Sequence, residues 1–257
     1  MNARAQYIAF RAILVKEVLR FTRIWIQTIL PPMITTALYF LIFGRLIGSQ
    51  IGDVHGFPYM EYIVPGLILM TVITNSYANV VSSFYGAKFQ HNIEEMLVAP
   101  VPNYLIMLGF IGGGLARGLA VGAAVTGVAL FFTPIPLHNL WVAISVLTLT
   151  SILFSLAGLI NAIYAKSFDD ISVIPTFVLT PLTYLGGVFY TVAMLPPFWQ
   201  KMSLANPILY MVNAFRYGLL GVSDVNLAAA YMAIVGFIAG LFGFALYLLN
   251  RGHGIRS

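Results

Sequence analysis

Residues 118–165 read GLAVGAAVTGVALFFTPIPLHNLWVAISVLTLTSILFSLAGLINAIYA, 48 positions without one charge. As a single helix this stretch would be roughly 72 Å long, against a membrane hydrocarbon core of about 30 Å. It has to turn back. The turn signal is Thr133-Pro134-Ile135-Pro136, followed by His138-Asn139. The stretch therefore holds the end of one membrane crossing and the whole of the next.

The same reading extends outward in both directions. Uncharged runs cover Ile24–Gly44 (21 residues), Tyr62–Ala87 (26), Met96–Ala116 (21), Ile171–Gln200 (30) and Val225–Asn250 (26). A crossing needs about 20 apolar residues. Six spans are predicted, near 24–47, 59–83, 105–132, 139–165, 171–190 and 225–250. After Tyr190, Pro196-Pro197 and Asn206-Pro207 forbid one continuous helix. Yet 191–220 stays apolar and aromatic, with Phe198, Trp199, Tyr210, Phe215 and Tyr217. It is expected to form short re-entrant helices whose free backbone groups are sheltered by protein.

Composition agrees. Of 257 residues, 60% are hydrophobic and 8% charged, where a soluble domain carries about 25% charged residues. Mean hydropathy is +0.91. A cytosolic enzyme, a secreted domain and a nucleic-acid module are excluded. The 13 Lys and Arg form no basic face. There are no cysteines, hence no disulfide or thiolate site. With no linker, repeat or low-complexity tract, 1–257 reads as a single all-α integral membrane domain.

The basic residues report topology instead. Arg4, Arg11, Lys16, Arg20 and Arg23 precede the first span, and Lys88, Lys166, Arg251 and Arg256 fall on the same side. Only Arg45, Lys201 and Arg216 fall on the other. Both termini are therefore expected in the cytoplasm. No small-residue cleavage site follows the basic N-terminal stretch, so the first span reads as an uncleaved anchor.

Two cytoplasmic segments stand out. Residues 1–23 form an amphipathic helix, with Phe10, Leu14, Val18 and Phe21 on one face and Lys16, Arg20 and Arg23 opposite. Such a helix lies in the membrane interface, either as an anchor alone or as a docking surface for a soluble partner. Within the region 84–104, Asn92-Ile93-Glu94-Glu95-Met96-Leu97-Val98 precedes Pro100. This is a short helix ended by proline, presenting acid and apolar side chains to the cytoplasm.

Asn92-Ile93-Glu94-Glu95-Met96-Leu97-Val98-Ala99-Pro100-Val101-Pro102 resembles the coupling-helix segment of ABC-2 type transporter permeases. The resemblance extends over nearly the whole chain. It takes in Trp25-Ile26-Gln27-Thr28 with Pro31-Pro32, Tyr62-Ile63-Val64-Pro65-Gly66-Leu67, Phe168-Asp169-Asp170-Ile171, the run Thr180–Tyr190, Leu195-Pro196-Pro197-Phe198-Trp199 and Asn206-Pro207. The closest subgroup is that of inner-membrane permeases of Gram-negative bacteria. The resemblance implies a half-transporter in the bacterial inner membrane. Two copies would pair with two copies of a separate subunit that binds ATP and Mg. Glu94, Glu95, Met96 and Leu97 would contact that subunit, together with Lys16, Glu17, Arg20 and Arg23 of the N-terminal helix. The substrate path would run between the copies, lined by the second and fifth spans, and the usual direction is export.

The energy source can be argued without the resemblance. A P-loop needs Gly-Lys-Ser/Thr. Lys16, Lys88, Lys166 and Lys201 follow Val, Ala, Ala and Gln, so this chain has no ATP site of its own. An ion-coupled carrier places carboxylates or histidines inside its spans. Here Glu17, Asp53, Glu61, Glu94, Glu95, Asp169, Asp170 and Asp224 read as loop or span-end residues, as do His55, His91, His138 and His253. No base shares a span centre with a nucleophile and no metal-ligand cluster is visible, so neither an enzyme nor a metal site is expected. A partner ATPase remains the simpler source; an ATP-independent channel or carrier is the alternative.

Inside the spans, Asn75, Tyr77 and Asn79 sit midway along the second. Thr176, Thr180 and Tyr184 recur every four residues on the fifth. They line a path of mixed polarity or hydrogen-bond between helices. Arg117, within the third span, is a gate or an anion contact, or it snorkels to the cytoplasmic surface. Asp169 and Asp170 cap the fifth span or touch the ATPase. The path suits lipids, amphipathic drugs and glycans alike.

Overall fold

The computed structural model describes residues 2–252. His253 and Arg256, used above in the histidine census and the charge count, lie outside the described residues. Ten helices follow one another: α1 (Ala3–Arg23), α2 (Trp25–Ile51), α3 (Tyr59–Phe89), α4 (Asn92–Val98), α5 (Asn103–Leu130), α6 (Leu140–Tyr164), α7 (170–184), α8 (Pro197–Leu204), α9 (Pro207–Leu220) and α10 (Leu227–Arg251). Five of these, α2, α3, α5, α6 and α10, are long and apolar enough to cross a membrane. The remaining secondary structure includes a two-residue hairpin, β1 (Asp53–Val54) with β2 (Phe57–Pro58), in the α2–α3 connection. The molecule is therefore helical but not purely α.

Five of the six predicted spans fall on these long helices, and the boundaries have local causes. Asn139 caps α6 by accepting the Val142 N–H, and Asn226 caps α10 by accepting from Ala228 and Ala229. At the other end of α6, Lys88 Nζ donates to the Ile163 and Ala165 carbonyls at 2.8 and 2.7 Å. It thereby satisfies groups the helix end leaves free. The region 84–104 needs correction at its start, because α3 continues to Phe89 before the chain turns at His91, which has φ +59°.

The predicted fifth span is the main departure. It is α7, fifteen residues in three pieces: Asp170–Ile174, a π-helical turn Pro175–Leu179, and Thr180–Tyr184. Fifteen residues reach only about 22 Å. Pro175 and Pro181 each lack an N–H, and the wider turn lets the Thr180 N–H and hydroxyl both reach the Pro175 carbonyl. At Gly187 (φ +71°) the chain folds back. The segment 191–220 then forms a 3-10 turn, α8 and α9, as expected of a broken apolar stretch.

α3 is the centre of the bundle, packed against both α5 and α6. Close approach rests on small residues. A Cβ on Gly158 of α6 would lie 2.6 Å from the Tyr77 carbonyl oxygen, and one on Gly218 of α9 would lie 2.7 Å from the Ala143 backbone nitrogen. Because the Gly158 neighbour is backbone, no rotamer change relieves the clash. Gly158→Ala is expected to destabilise by about 1–3 kcal/mol. A thermal unfolding midpoint in detergent that equals the wild type's would show that α3 and α6 are not so close.

Candidate functional site

Three regions carry the residues that the sequence singled out. The first is α4. Ile93 is buried and pins the helix to the bundle, while Met96 and Leu97 are half-buried against the same core. Glu94, Glu95 and Val98 are exposed. Of the four predicted coupling residues, the two acids thus face outward and the two apolar ones turn partly inward. Val98, at 87% exposure, is the apolar side chain offered to solvent. His91 Nδ1 lies 3.1 Å from Glu94 Oε1 and steadies the helix start.

The second region is α1, whose expected apolar face of Phe10, Leu14, Val18 and Phe21 is buried or half-buried, and whose docking surface also takes in Ile13, Glu17 and Arg20. The Tyr104 hydroxyl donates to Gln6 Oε1 at 3.3 Å. Gly109, Gly112 and Gly113 of α5 form a groove that receives Ile13, Leu14 and Glu17, each within 2.6 Å of where a glycine Cβ would stand. α1 therefore runs beside the first half of α5 in the same direction, instead of resting on the surface. Glu17 is fully buried. Its Oε2 accepts from Ser83 Oγ at 2.6 Å and from Arg20 Nε at 3.4 Å. Arg20 Nη2 donates to both the carbonyl and the side-chain oxygen of Asn79 at 2.8 Å. Lys16 and Arg23 remain exposed, and so do the apolar Ile8, Val15 and Leu19. Glu17 and Arg20 thus fasten α1 to α3, and only Lys16 and Arg23 of the predicted set face outward. The sequence offered one signal for this, the glycines at 109, 112 and 113 at helical spacing.

The third region is a cleft of about 410 Å³ between α2, α3 and α5. Its walls carry Gln27, Thr28, Thr35 and Tyr39 from α2, and Thr71, Thr74 and Asn75 from α3. Arg117 of α5 forms part of the lining, with Nη2 donating to Asn75 Oδ1 at 3.0 Å. Arg117 stands fifteenth among the 28 residues of α5, so it is central in the helix. One turn further along α3, toward the charge-rich end, Asn79 is held by Arg20. Pro31 and Pro32 lie inside α2 and leave the Gln27 and Thr28 carbonyls without their i+4 donors.

The other predicted path residues scatter. Tyr77 is buried against α6 and Asn79 is engaged by Arg20, so neither lines the cleft. Thr176 and Thr180 are exposed on α7 and lie outside the lining. Tyr184 reaches the cleft's edge, its hydroxyl 3.2 Å from that of Tyr39. Asp170 completes a reciprocal cap. Its carboxylate accepts from the Lys166 and Ser167 N–H groups while its own N–H donates to Ser167 Oγ. Those bonds hold its carboxyl below the usual range.

Arg216 is a residue the sequence reading misplaced. Counted above as a loop charge, it is 1% exposed inside α9. Nη2 donates to the Gly187 carbonyl at 2.6 Å, and the guanidinium lies 4.0 Å from the Tyr62 ring centroid. Nearby, Asp224 accepts from the Val192 N–H and lies 3.2 Å from His55 Nε2, closing the α2–α3 hairpin onto the α9–α10 loop. Among the described residues no three His, Asp or Glu gather as a metal site.

Comparison with known proteins fits this architecture. The family model for ABC-2 type transporters matches residues 8–220. The chain is 60% identical to the inner membrane transport permease YadH of Escherichia coli K12, over 98% of each chain. It is 25% identical to nodulation protein J of Sinorhizobium fredii, over 84% of this chain and 82% of that one. To nodulation protein J of Rhizobium meliloti it is 22% identical, over 92% and 90%. The chain belongs to the ABC-2 type transporter family, as a membrane-embedded permease subunit.

Proposed function

We propose that this permease works in the bacterial inner membrane as one half of an ATP-driven exporter. Two copies would associate with two copies of a separate ATP-binding subunit, which holds ATP and Mg. Both termini and α4 would lie in the cytoplasm. One observation carries the reading: α4 displays Glu94, Glu95 and Val98 outward while Ile93 anchors it in the core of the bundle. A short, rigidly rooted helix with a free acidic tip suits transmission of motion from a soluble subunit to the spans. α1, fastened to α3 through Glu17 and Arg20, provides a second route, with Lys16 and Arg23 as its outward contacts.

The self-association half of the proposal rests on exposure. α7 leaves Phe177, Val178 and Val173 uncovered, and α2 leaves Ile34, Leu38 and Leu41 uncovered. A second copy on these faces would complete a path that includes Thr176, Thr180 and Tyr184. Cargo of amphipathic character, whether lipid, drug or glycan, fits walls that mix hydroxyl and aliphatic groups.

Affinity purification of the tagged chain from its native membrane in mild detergent, with quantitative mass spectrometry, tests this. A soluble P-loop ATPase at one copy per permease, two of each per particle, is the expected result. A particle reproducibly lacking an ATPase in several detergents would overturn the proposal in favour of an ATP-independent channel or carrier.

A further inference from the structure

Three arginines lie within the bundle, and they differ in how their charge is met. Arg20 has the Glu17 carboxylate. Arg216 has the Gly187 carbonyl, the Tyr62 ring and the field of Asp224. Arg117 has one neutral acceptor, Asn75 Oδ1, and its buried Nε, like that of Arg216, has no partner among the described residues. The ionisable group acting on it is Arg20, of the same sign. An intramembrane cation left this way is costly unless something else supplies the negative charge.

The cleft around it is built for more than an ion. Thr71 and Thr74 already donate their hydroxyl protons to the Ile68 and Met70 carbonyls, so toward the cavity they are acceptors. The Gln27 and Thr28 carbonyls, freed by Pro31 and Pro32, are acceptors too. The walls therefore ask for donors, and Arg117 asks for an anion. A volume of about 410 Å³ falls within the range of small-molecule sites, about 300–1,000 Å³.

We propose that this cleft binds the anionic, hydroxyl-bearing headgroup of a single amphiphile. The anion would sit on Arg117 and the hydroxyls on the α2 and α3 walls. The acyl chain would leave past Met70 and Pro31 into lipid. The inference rests on the exporter reading for its meaning as a cargo site, but its geometry stands within one chain.

The test uses the purified full-length chain in zwitterionic nanodiscs, titrated with lysophosphatidylglycerol, lysophosphatidylcholine of the same acyl chain, or inorganic phosphate. Wild type is expected to bind lysophosphatidylglycerol at least tenfold more tightly than lysophosphatidylcholine. Arg117→Gln should erase that preference. Asn75→Asp should erase it as well, because it sets a carboxylate beside the guanidinium while keeping the shape of the site and so guards against simple misfolding. Equal affinity of wild type for the two lipids overturns the proposal, as does full preference in Asn75→Asp. Competition by inorganic phosphate at concentrations comparable to the lipid overturns the amphiphile assignment in favour of a free-anion site. The exporter reading is checked separately, by whether wild type retains an ATPase. Lipid preference without an ATPase sinks that reading and leaves the headgroup site standing.

Discussion

The Glu94→Lys, Glu95→Lys double variant is expected to lose at least tenfold of the ATPase that co-purifies with the tagged chain, while its level in the membrane stays at that of the wild type. Both carboxylates are exposed, so their reversal costs the fold little. Across an interface, like-charge juxtaposition costs several kcal/mol, and about 1.4 kcal/mol is already a factor of ten. The neutral pair Glu94→Gln, Glu95→Gln should fall between, and association should weaken as salt rises. Undiminished ATPase on the double reversal would remove α4 from the coupling surface. Met96 and Leu97 make a contrast, since they are half-buried and their truncation should loosen α4 itself.

The second large effect belongs to Arg216. Arg216→Ala is expected to destabilise the protein by about 4 kcal/mol. The cation–π contact with Tyr62 contributes about 2 kcal/mol when desolvated, and the orphaned Gly187 carbonyl and the vacated volume supply the rest. Tyr62→Phe keeps the ring and loses only the 3.4 Å bond to the Tyr190 carbonyl, so it should cost under about 1 kcal/mol. Thermal unfolding in detergent distinguishes the two. Equal midpoints for both variants would mean that the guanidinium does not hold the fold-back at Gly187.

What was legible in the sequence depended on how local its cause was. α2, α3, α6 and α10 declared themselves because each holds a long uncharged run bounded by prolines, caps or charges, and α5 did so as two such runs on either side of Arg117. α4 was legible because Pro100 ends it and paired acids open it. The polar fastening of α1 was not, because Glu17 and Arg20 find Ser83 and Asn79 some 60 residues away. Periodicity pointed to Phe10, Leu14, Val18 and Phe21, which do turn inward, and the groove on α5 widens that face to take in Ile13 and Glu17. α7 was overestimated for a related reason. Apolar composition counts residues but does not see the turn at Gly187 that spends them on a fold-back. Arg216 was miscounted because a charge tally treats every arginine as solvated, and this one is matched by a carbonyl and an aromatic face.

The central position of α3 also bears on how the protein is made. Asn75, Ser76, Asn79 and Ser83 are all buried in the finished bundle, and the helices that cover them from one side are α5 and α6. Those come later from the ribosome: Tyr164 lies 75 residues after Phe89, which at about 5–20 residues per second takes roughly 4–15 s. For the first 41 residues of that interval, until Leu130 completes α5, the four polar side chains have α1 and α2 as their long-helix neighbours. The early-born Glu17–Arg20 pair is then the one device already in place to satisfy Asn79 and Ser83. The same fastening that later links α1 to α3 would thus serve first as a temporary escort, keeping the least lipid-compatible helix settled until its neighbours emerge.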